Sequence, residues 1–171
     1  MEGFLDPNQV LKQLELREDM VAADFGSGSG GWTIPLAKKL TEGKIYALDI
    51  LEEPLSALKS RAQLEKVFNI ETILVDLEKN SKIRDDSIDL VLSINLLFQI
   101  EDKNAILKEI KRVLKKGGKA LIIDWLTETA LGPEEERVSA EKVKTLAKEI
   151  DLKLEKEFLA GSHHWALILL K

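Results

Sequence analysis

The chain has no cysteine. Disulfides, thiolate metal sites and cysteine-nucleophile mechanisms are therefore excluded, cytosine C5 methylation through a cysteine adduct among them. There is also no apolar run approaching the length of a membrane span, and the start Met1-Glu-Gly-Phe-Leu-Asp6 lacks the basic residues of a signal peptide. The expected protein has no membrane segment and is cytoplasmic. Positive charge is not in excess either: 25 Lys and Arg against 30 Asp and Glu give a net charge of -5, which argues against a nucleic-acid partner except through a local basic face. No repeat, low-complexity tract or interdomain linker interrupts the sequence, so residues 1–171 read as a single domain.

With 171 residues, 44% of them hydrophobic and 32% charged, the composition is that of a globular domain with a sizeable core. Its organising stretch is Val21-Ala-Ala-Asp24-Phe25-Gly26-Ser27-Gly28-Ser29-Gly30-Gly31, an apolar run ending in an acid and entering four glycines. This reads as the first strand of a parallel sheet, a ligand-cradling loop and a helix start. Glycine tolerates positive φ and close backbone approach, and the first helical turn offers unpaired N–H groups.

Two cofactor classes fit the loop. Gly26-x-Gly28-x-x-Gly31 satisfies the dinucleotide fingerprint, whereas Asp24-x-Gly26-x-Gly28-x-Gly30 satisfies the pattern of enzymes using S-adenosyl-L-methionine (SAM). Asp24 separates them: a carboxylate there repels a pyrophosphate and attracts the sulfonium and ammonium of SAM. The loop is read as a SAM loop, with a ligand-free glycine turn as the alternative.

Along the chain, Asp6-Pro7 opens a short helix, with Asp as N-cap and Pro in the first turn. After the glycine loop a helix is expected over Trp32 to Leu40, beginning late because of Pro35. Gly43 to Asp49 is a second buried strand, and Asp49 lies nineteen residues beyond Gly30, where a βαβ unit places a carboxylate able to accept from both ribose hydroxyls. Its other reading is an N-cap for the helix that follows. That helix spans Leu51 to Val67, and Ile70 to Val75 is the third strand. Asp76, with Leu77, either accepts from the adenine amine or is a solvated strand end.

Ile88 to Ile94 is the fourth strand, which puts Asn95, Phe98 and Gln99 at its carboxyl end as candidates for the cofactor and substrate wall; for Phe98 the competing reading is core packing. The next helix carries Ile106, Ile110 and Val113 inward and its lysines outward, with Gly117-Gly118 as its C-cap. Lys119 to Trp125 is the fifth strand, Leu126 to Arg137 an acidic connection, and Ser139 caps a last helix. Leu152 to Leu159 and Trp165 to Leu170 then form an antiparallel pair across the short link Ala160-Gly-Ser-His163-His164.

Strands alternating with helices give an α/β fold, a doubly wound Rossmann-like sheet with one antiparallel strand added by the final hairpin. With the Asp24 to Gly30 loop, Asp49, Asp76 and Lys115-Lys-Gly-Gly-Lys119, the chain resembles the class I SAM-dependent methyltransferases, and most of all the small-molecule branch that includes the quinone-biosynthesis C-methyltransferases. The resemblance covers nearly the whole chain. It implies a seven-stranded sheet of order 3-2-1-4-5-7-6 with strand 7 antiparallel, and SAM lying across strands 1, 2 and 4. It also implies that Asp24 and the glycines hold the methionine part, Asp49 the ribose, and Asp76 with Leu77 the adenine. The expected cofactor set is Asp24, Gly26, Ser27, Gly28, Gly30, Asp49, Ile50, Asp76, Leu77 and Asn95, with no metal.

The expected reaction is in-line methyl transfer to a small-molecule acceptor, driven mainly by positioning and exclusion of water. Family members with defined substrates carry extra helices over the pocket, and this chain has almost none, leaving room for a second copy or a partner subunit as lid. Asn95-Leu-Leu-Phe98 stands where amino-methylating nucleic-acid enzymes carry an Asn-Pro-Pro-Tyr type of motif, which argues against a base-amine substrate. The alternatives are methylation of RNA or protein with a partner chain supplying the lid, and a dinucleotide-dependent oxidoreductase. The only two histidines, His163 and His164, are the candidate bases: an imidazole of unperturbed pKa near 6.5 can accept a proton at neutral pH, against a reading as polar turn residues.

Overall fold

The acid-terminated apolar run forms β1 (Val21–Phe25) at the middle of the sheet in a computed structural model that describes residues 5–133 and 136–171. Met1 to Phe4, part of the segment read for a leader, and Glu134-Glu135 of the acidic connection lie outside the described residues. Beside β1 run β2 (Lys44–Asp49) and β4 (Ile88–Ile94), both parallel to it; β3 (Ile70–Leu74) pairs parallel with β2, and β5 (Leu114–Trp125) with β4. The hairpin of β6 (Lys153–Leu159) and β7 (His164–Leu170) completes a seven-stranded sheet of order 3-2-1-4-5-7-6. Since β7 is antiparallel to both β5 and β6, β6 runs parallel to β5, and the β6–β7 turn lies at the carboxyl edge of the parallel strands.

Alternation along each strand feeds two cores. Ala22, Ile45, Leu92 and Ile123 pack with α1 (Pro7–Leu11), α2 (Thr33–Ala37) and α3 (Glu52–Leu64) on one face. Ala23, Val91 and Ile122 pack with α4 (Lys103–Val113) and α5 (Ala140–Glu149) on the other. Each fully buried aliphatic side chain stabilises the fold by about 1.5–3 kcal/mol relative to its exposed state. Truncating Ile110, which is wholly buried on the inner face of α4, would cost about 2–5 kcal/mol.

The caps at Asp6, Asp102 and Ser139 each accept from a backbone N–H in the first turn of their helices. Elsewhere the helix and strand ends differ from the sequence reading. Helix α2 stops at Ala37 instead of Leu40. Helix α3 stops at Leu64 because Lys66 takes φ +55 and the Lys66 and Val67 amides turn back onto the Gln63 and Ala62 carbonyls, a left-handed cap made without glycine. Gly117-Gly118 is not the C-cap of α4. The helix ends at Val113 because Leu114, fully buried, turns extended and pairs with Ile88, so the strand begins there. Gly117 instead lets its N–H reach the Lys171 carbonyl at 3.0 Å. His164 is likewise not a turn residue: it opens β7, opposite Trp125, and is buried.

Candidate cofactor cleft

The glycine loop hangs on the end of β2, with the Gly26 and Ser27 amides both donating to the Leu48 carbonyl at 2.9 Å. Two of its glycines have separate work. Gly30, at φ +86, leaves no space for a side chain, because a Cβ there would lie 2.2 Å from the Leu58 Cδ1 of α3. Gly28, at φ +52, has nothing within 4 Å of that position and faces open space.

Three acids at strand ends surround the loop. Asp49 accepts from the Gly28 amide at 2.9 Å through one oxygen and from the Leu51 amide at 3.0 Å through the other. The N-cap of α3 is Leu51, not Asp49. Asp24 is 2% exposed and accepts from the Thr33 hydroxyl at 2.6 Å. Burial pushes its carboxyl up to about 6; the Thr33 hydrogen bond opposes this and the Asp49 charge adds to it. Asp76 accepts from the Glu78 amide, and the Lys79 ammonium at 2.9 Å holds its carboxyl below the usual range.

Together these elements enclose a cleft of about 310 Å³. Gly26, Gly28, Asp49, Ile50, Asp76, Leu77 and Asn95 all line it, as expected, and Gln99 forms part of its wall. Asp24, Ser27 and Gly30 do not line it: Asp24 and Gly30 are buried behind the loop, and Ser27 is 7% exposed. Leu51, Pro54, Val75, Glu78, Leu96 and Ile100 complete the lining without having been singled out in the sequence, their only signal being adjacency to strand ends. Phe98 is partly buried and outside the lining. A second cleft of about 810 Å³ shares Gln99 and Ile100 with the first, and its lining adds Val138 and several polar side chains, Lys103, Thr127, Ser139 and Lys142 among them.

Among the described residues, the cleft's lining carries Asp49, Asp76 and Glu78 and no lysine or arginine. A pyrophosphate would meet three carboxylates, of which Asp76 is paired with a cation, Lys79, outside the lining, and the Gly28 N–H is already held by Asp49. A ligand with hydroxyl and amine donors and a cationic end fits. Two buried oxygens, Ser27 Oγ in the loop and Asn95 Oδ1 at the cleft, have no hydrogen-bond partner among the described residues. Asn95 also sits at φ +51, with its carbonyl accepting from Gln99 Nε2 at 2.8 Å.

The two histidines separate in role. His163 is half-buried, with Nδ1 at 2.5 Å from the Thr129 hydroxyl and its carbonyl accepting from the Leu126 amide. His164 stacks on Trp125 at 4.1 Å between centroids, and neither ring nitrogen has a partner. Burial first, then the charge of His163, push the His164 imidazole down to about 4. Both lie at the carboxyl edge, but β4 and β5 separate β7 from β1, about 14 Å at the usual strand spacing.

The family profile described as a methyltransferase domain matches residues 16–163. A demethylmenaquinone methyltransferase from Bacillus mycoides is 28% identical over 125 residues, 72% of this chain and 52% of that protein. The protein of that name from Staphylococcus aureus is 31% identical over 118 residues, 68% of this chain and 47% of its own length. The chain thus spans about half the length of the curated relatives it matches. Among solved structures, a SAM dependent methyltransferase from Aquifex aeolicus superimposes with a TM-score of 0.89 at 25% identity, covering 97% of this chain and 89% of that one.

Proposed function

The chain belongs to the methyltransferase domain family, and from that membership we propose that it transfers a methyl group from SAM to a small polar acceptor. The observation that carries the cofactor reading is a cleft lined by Asp49, Asp76 and Glu78, with no lysine or arginine in the lining among the described residues. In this reading Asp49 holds the ribose hydroxyls, Asp76 and the Leu77 backbone hold the adenine, and Ser27 and Asn95 supply their unpartnered oxygens to the methionine end. Asp24, behind the loop, adds negative potential for the cationic end. When bound, the cofactor supplies a methyl group on an electrophilic sulfonium, so the protein's contribution is orientation and exclusion of water, with a base needed only where the acceptor must lose a proton. The acceptor occupies the second cleft, beyond Gln99 and Ile100, where Lys103, Thr127, Ser139 and Lys142 can hydrogen-bond a polar molecule.

Calorimetric titration with SAM, its demethylated product and NAD tests the reading. SAM and the product should bind and NAD should not; tighter binding of NAD overturns it. A second reading, methylation of RNA or protein with a partner chain or second copy as lid, draws on Ile50 and Leu51, which stand 62% and 60% exposed beside the cleft. Product release from SAM with a panel of small hydroxylated and acidic-carbon acceptors separates the two. Turnover with small acceptors supports the first, and turnover only with macromolecular fractions the second.

A further inference from the structure

The wall between the two clefts is a single turn of 3-10 helix, Leu97–Gln99, directly after β4. Its flanks Leu96, Gln99 and Ile100 line the cofactor cleft, and Gln99 and Ile100 line the second cleft as well. Leu96 at the start of the turn offers no side-chain cap. The cap comes from the neighbouring strand instead: Asp124, near the end of β5, accepts from the Phe98 amide at 3.2 Å through one oxygen and from the Trp125 amide at 2.8 Å through the other.

We propose that Asp124 is a positioning residue, a buried carboxylate that fixes the wall shared by the cofactor and acceptor clefts. This deepens the methyltransferase reading and rests on it. Asp124 is fully buried and, among the described residues, is held by backbone amides and feels the charge of Lys103 without a salt bridge to it. Keeping a charge in such a place is costly, and a purely structural acceptor could be a neutral side chain. What the charge adds is a stronger hold on the amides of a turn that packing alone fixes poorly. The groups packed around Asp124 are few. Among the described residues, Lys103 of α4 is the cation whose charge reaches it, with the Leu97, Phe98 and Trp125 amides, while its register partner in β7 is Trp165, and the neutral Asn95, just after β4, donates its amide to the adjacent Ile123 carbonyl.

Burial, the largest influence, raises the Asp124 carboxyl to about 6 against the pull of these amides and Lys103. A carboxyl raised on folding stabilises the folded state at low pH and loses that contribution as pH rises through about 6. Protonation should therefore make the whole domain more stable while loosening the turn. Stability and cofactor affinity move in opposite directions, which a merely structural role would not produce.

The experiment follows the Phe98 amide proton by NMR against pH, together with the thermal midpoint and the SAM dissociation constant, in the parent and in Asp124→Asn. The amide should titrate with a midpoint near 6 in the parent and not in the variant. Asp124→Asn should weaken SAM on the order of tenfold at neutral pH with no fall in thermal midpoint. A thermal midpoint that drops together with affinity makes the residue structural and overturns the proposal, as does unchanged SAM affinity or a Phe98 amide that does not titrate. A parent that binds no SAM overturns the functional reading and the positioning role with it; a Phe98 amide that still titrates distinguishes that failure from a wrong assignment of the Asp124 contact.

Discussion

Asp49 and Gly28 are joined by a 2.9 Å hydrogen bond from the glycine amide to the carboxylate, so the acid at the end of β2 grips the loop at the end of β1. Each carboxylate oxygen has a second lone pair beyond the Gly28 and Leu51 amides, and that remaining capacity is what a pair of hydroxyls can use. One side chain thereby shapes the loop and lines the cleft.

Asp49→Ala should weaken SAM by roughly tenfold to a hundredfold or more, since each charge-assisted hydrogen bond contributes on the order of 1.5–3 kcal/mol and about 1.4 kcal/mol is tenfold. The fold should persist, because Asp49 is only half-buried. Calorimetry on the folded variant checks this, and affinity equal to that of the parent would remove the ribose role.

Asp24 should make SAM binding depend on pH. Its carboxyl, raised to about 6 by burial, is ionised in the free protein only above that pH, and a cationic ligand nearby lowers it again. Binding should weaken as pH falls below about 6 and take place with proton release there. The free fold should respond the other way, gaining stability as Asp24 protonates. Asp24→Asn should flatten its part of the affinity profile, read by titration calorimetry in buffers of different ionisation enthalpy.

Much of this site was legible in the sequence because its markers are local. Each of β1, β2 and β5 ends in or next to an acid, Asp24, Asp49 and Asp124, and Asp76 follows β3. Glycine spacing and strand alternation fixed the loop, and the strand order followed from the resemblance. Asp124 carries the same signal as the other acids, but the apolar run Leu121-Ile-Ile-Asp-Trp125 around it masks that signal, and its partner, the Phe98 amide, is brought up only by the β4–β5 pairing. The Gly117-Gly118 cap failed for a related reason. A glycine pair after a helix is a local stop signal, but tertiary pairing of Leu114 with Ile88 ends α4 three residues earlier.

The histidines should part in their effects. His164 is held neutral by burial, so its folded value near 4 lies below the ordinary 6.5; that contribution to stability is present above 6.5 and lost as pH falls toward 4. His164→Ala removes the Trp125 stacking and leaves a cavity, and should lower stability by about 1–3 kcal/mol. His163→Ala should leave stability within about 1 kcal/mol. If His163 is a base, turnover falls with SAM affinity nearly intact. Urea melts and product-release rates check both, and unchanged turnover in each variant leaves positioning as the mechanism.

Gly28 and Gly30 provide the sharpest separation of ligand binding from folding. Both have positive φ, so an alanine at either costs about 1–2 kcal/mol in backbone strain. At Gly28 nothing stands within 4 Å of the new methyl, which projects into open space beside the cleft, so Gly28→Ala should fold and lose SAM affinity. At Gly30 the methyl would meet Leu58 Cδ1 at 2.2 Å, and Leu58 is fully buried between α3 and the sheet. Overpacking adds about 1–3 kcal/mol, for a total near 2–5 kcal/mol, or on the order of 10 °C in thermal midpoint for a domain of this size. The steric cause can itself be checked with Leu58→Ala, which removes the obstructing carbon. If the clash is the origin, the double variant Gly30→Ala/Leu58→Ala should be more stable than the sum of the single effects predicts, by about 1 kcal/mol or more. Additive losses would mean that φ alone excludes a side chain at Gly30, and the loop's packing on α3 would not constrain the choice of residue.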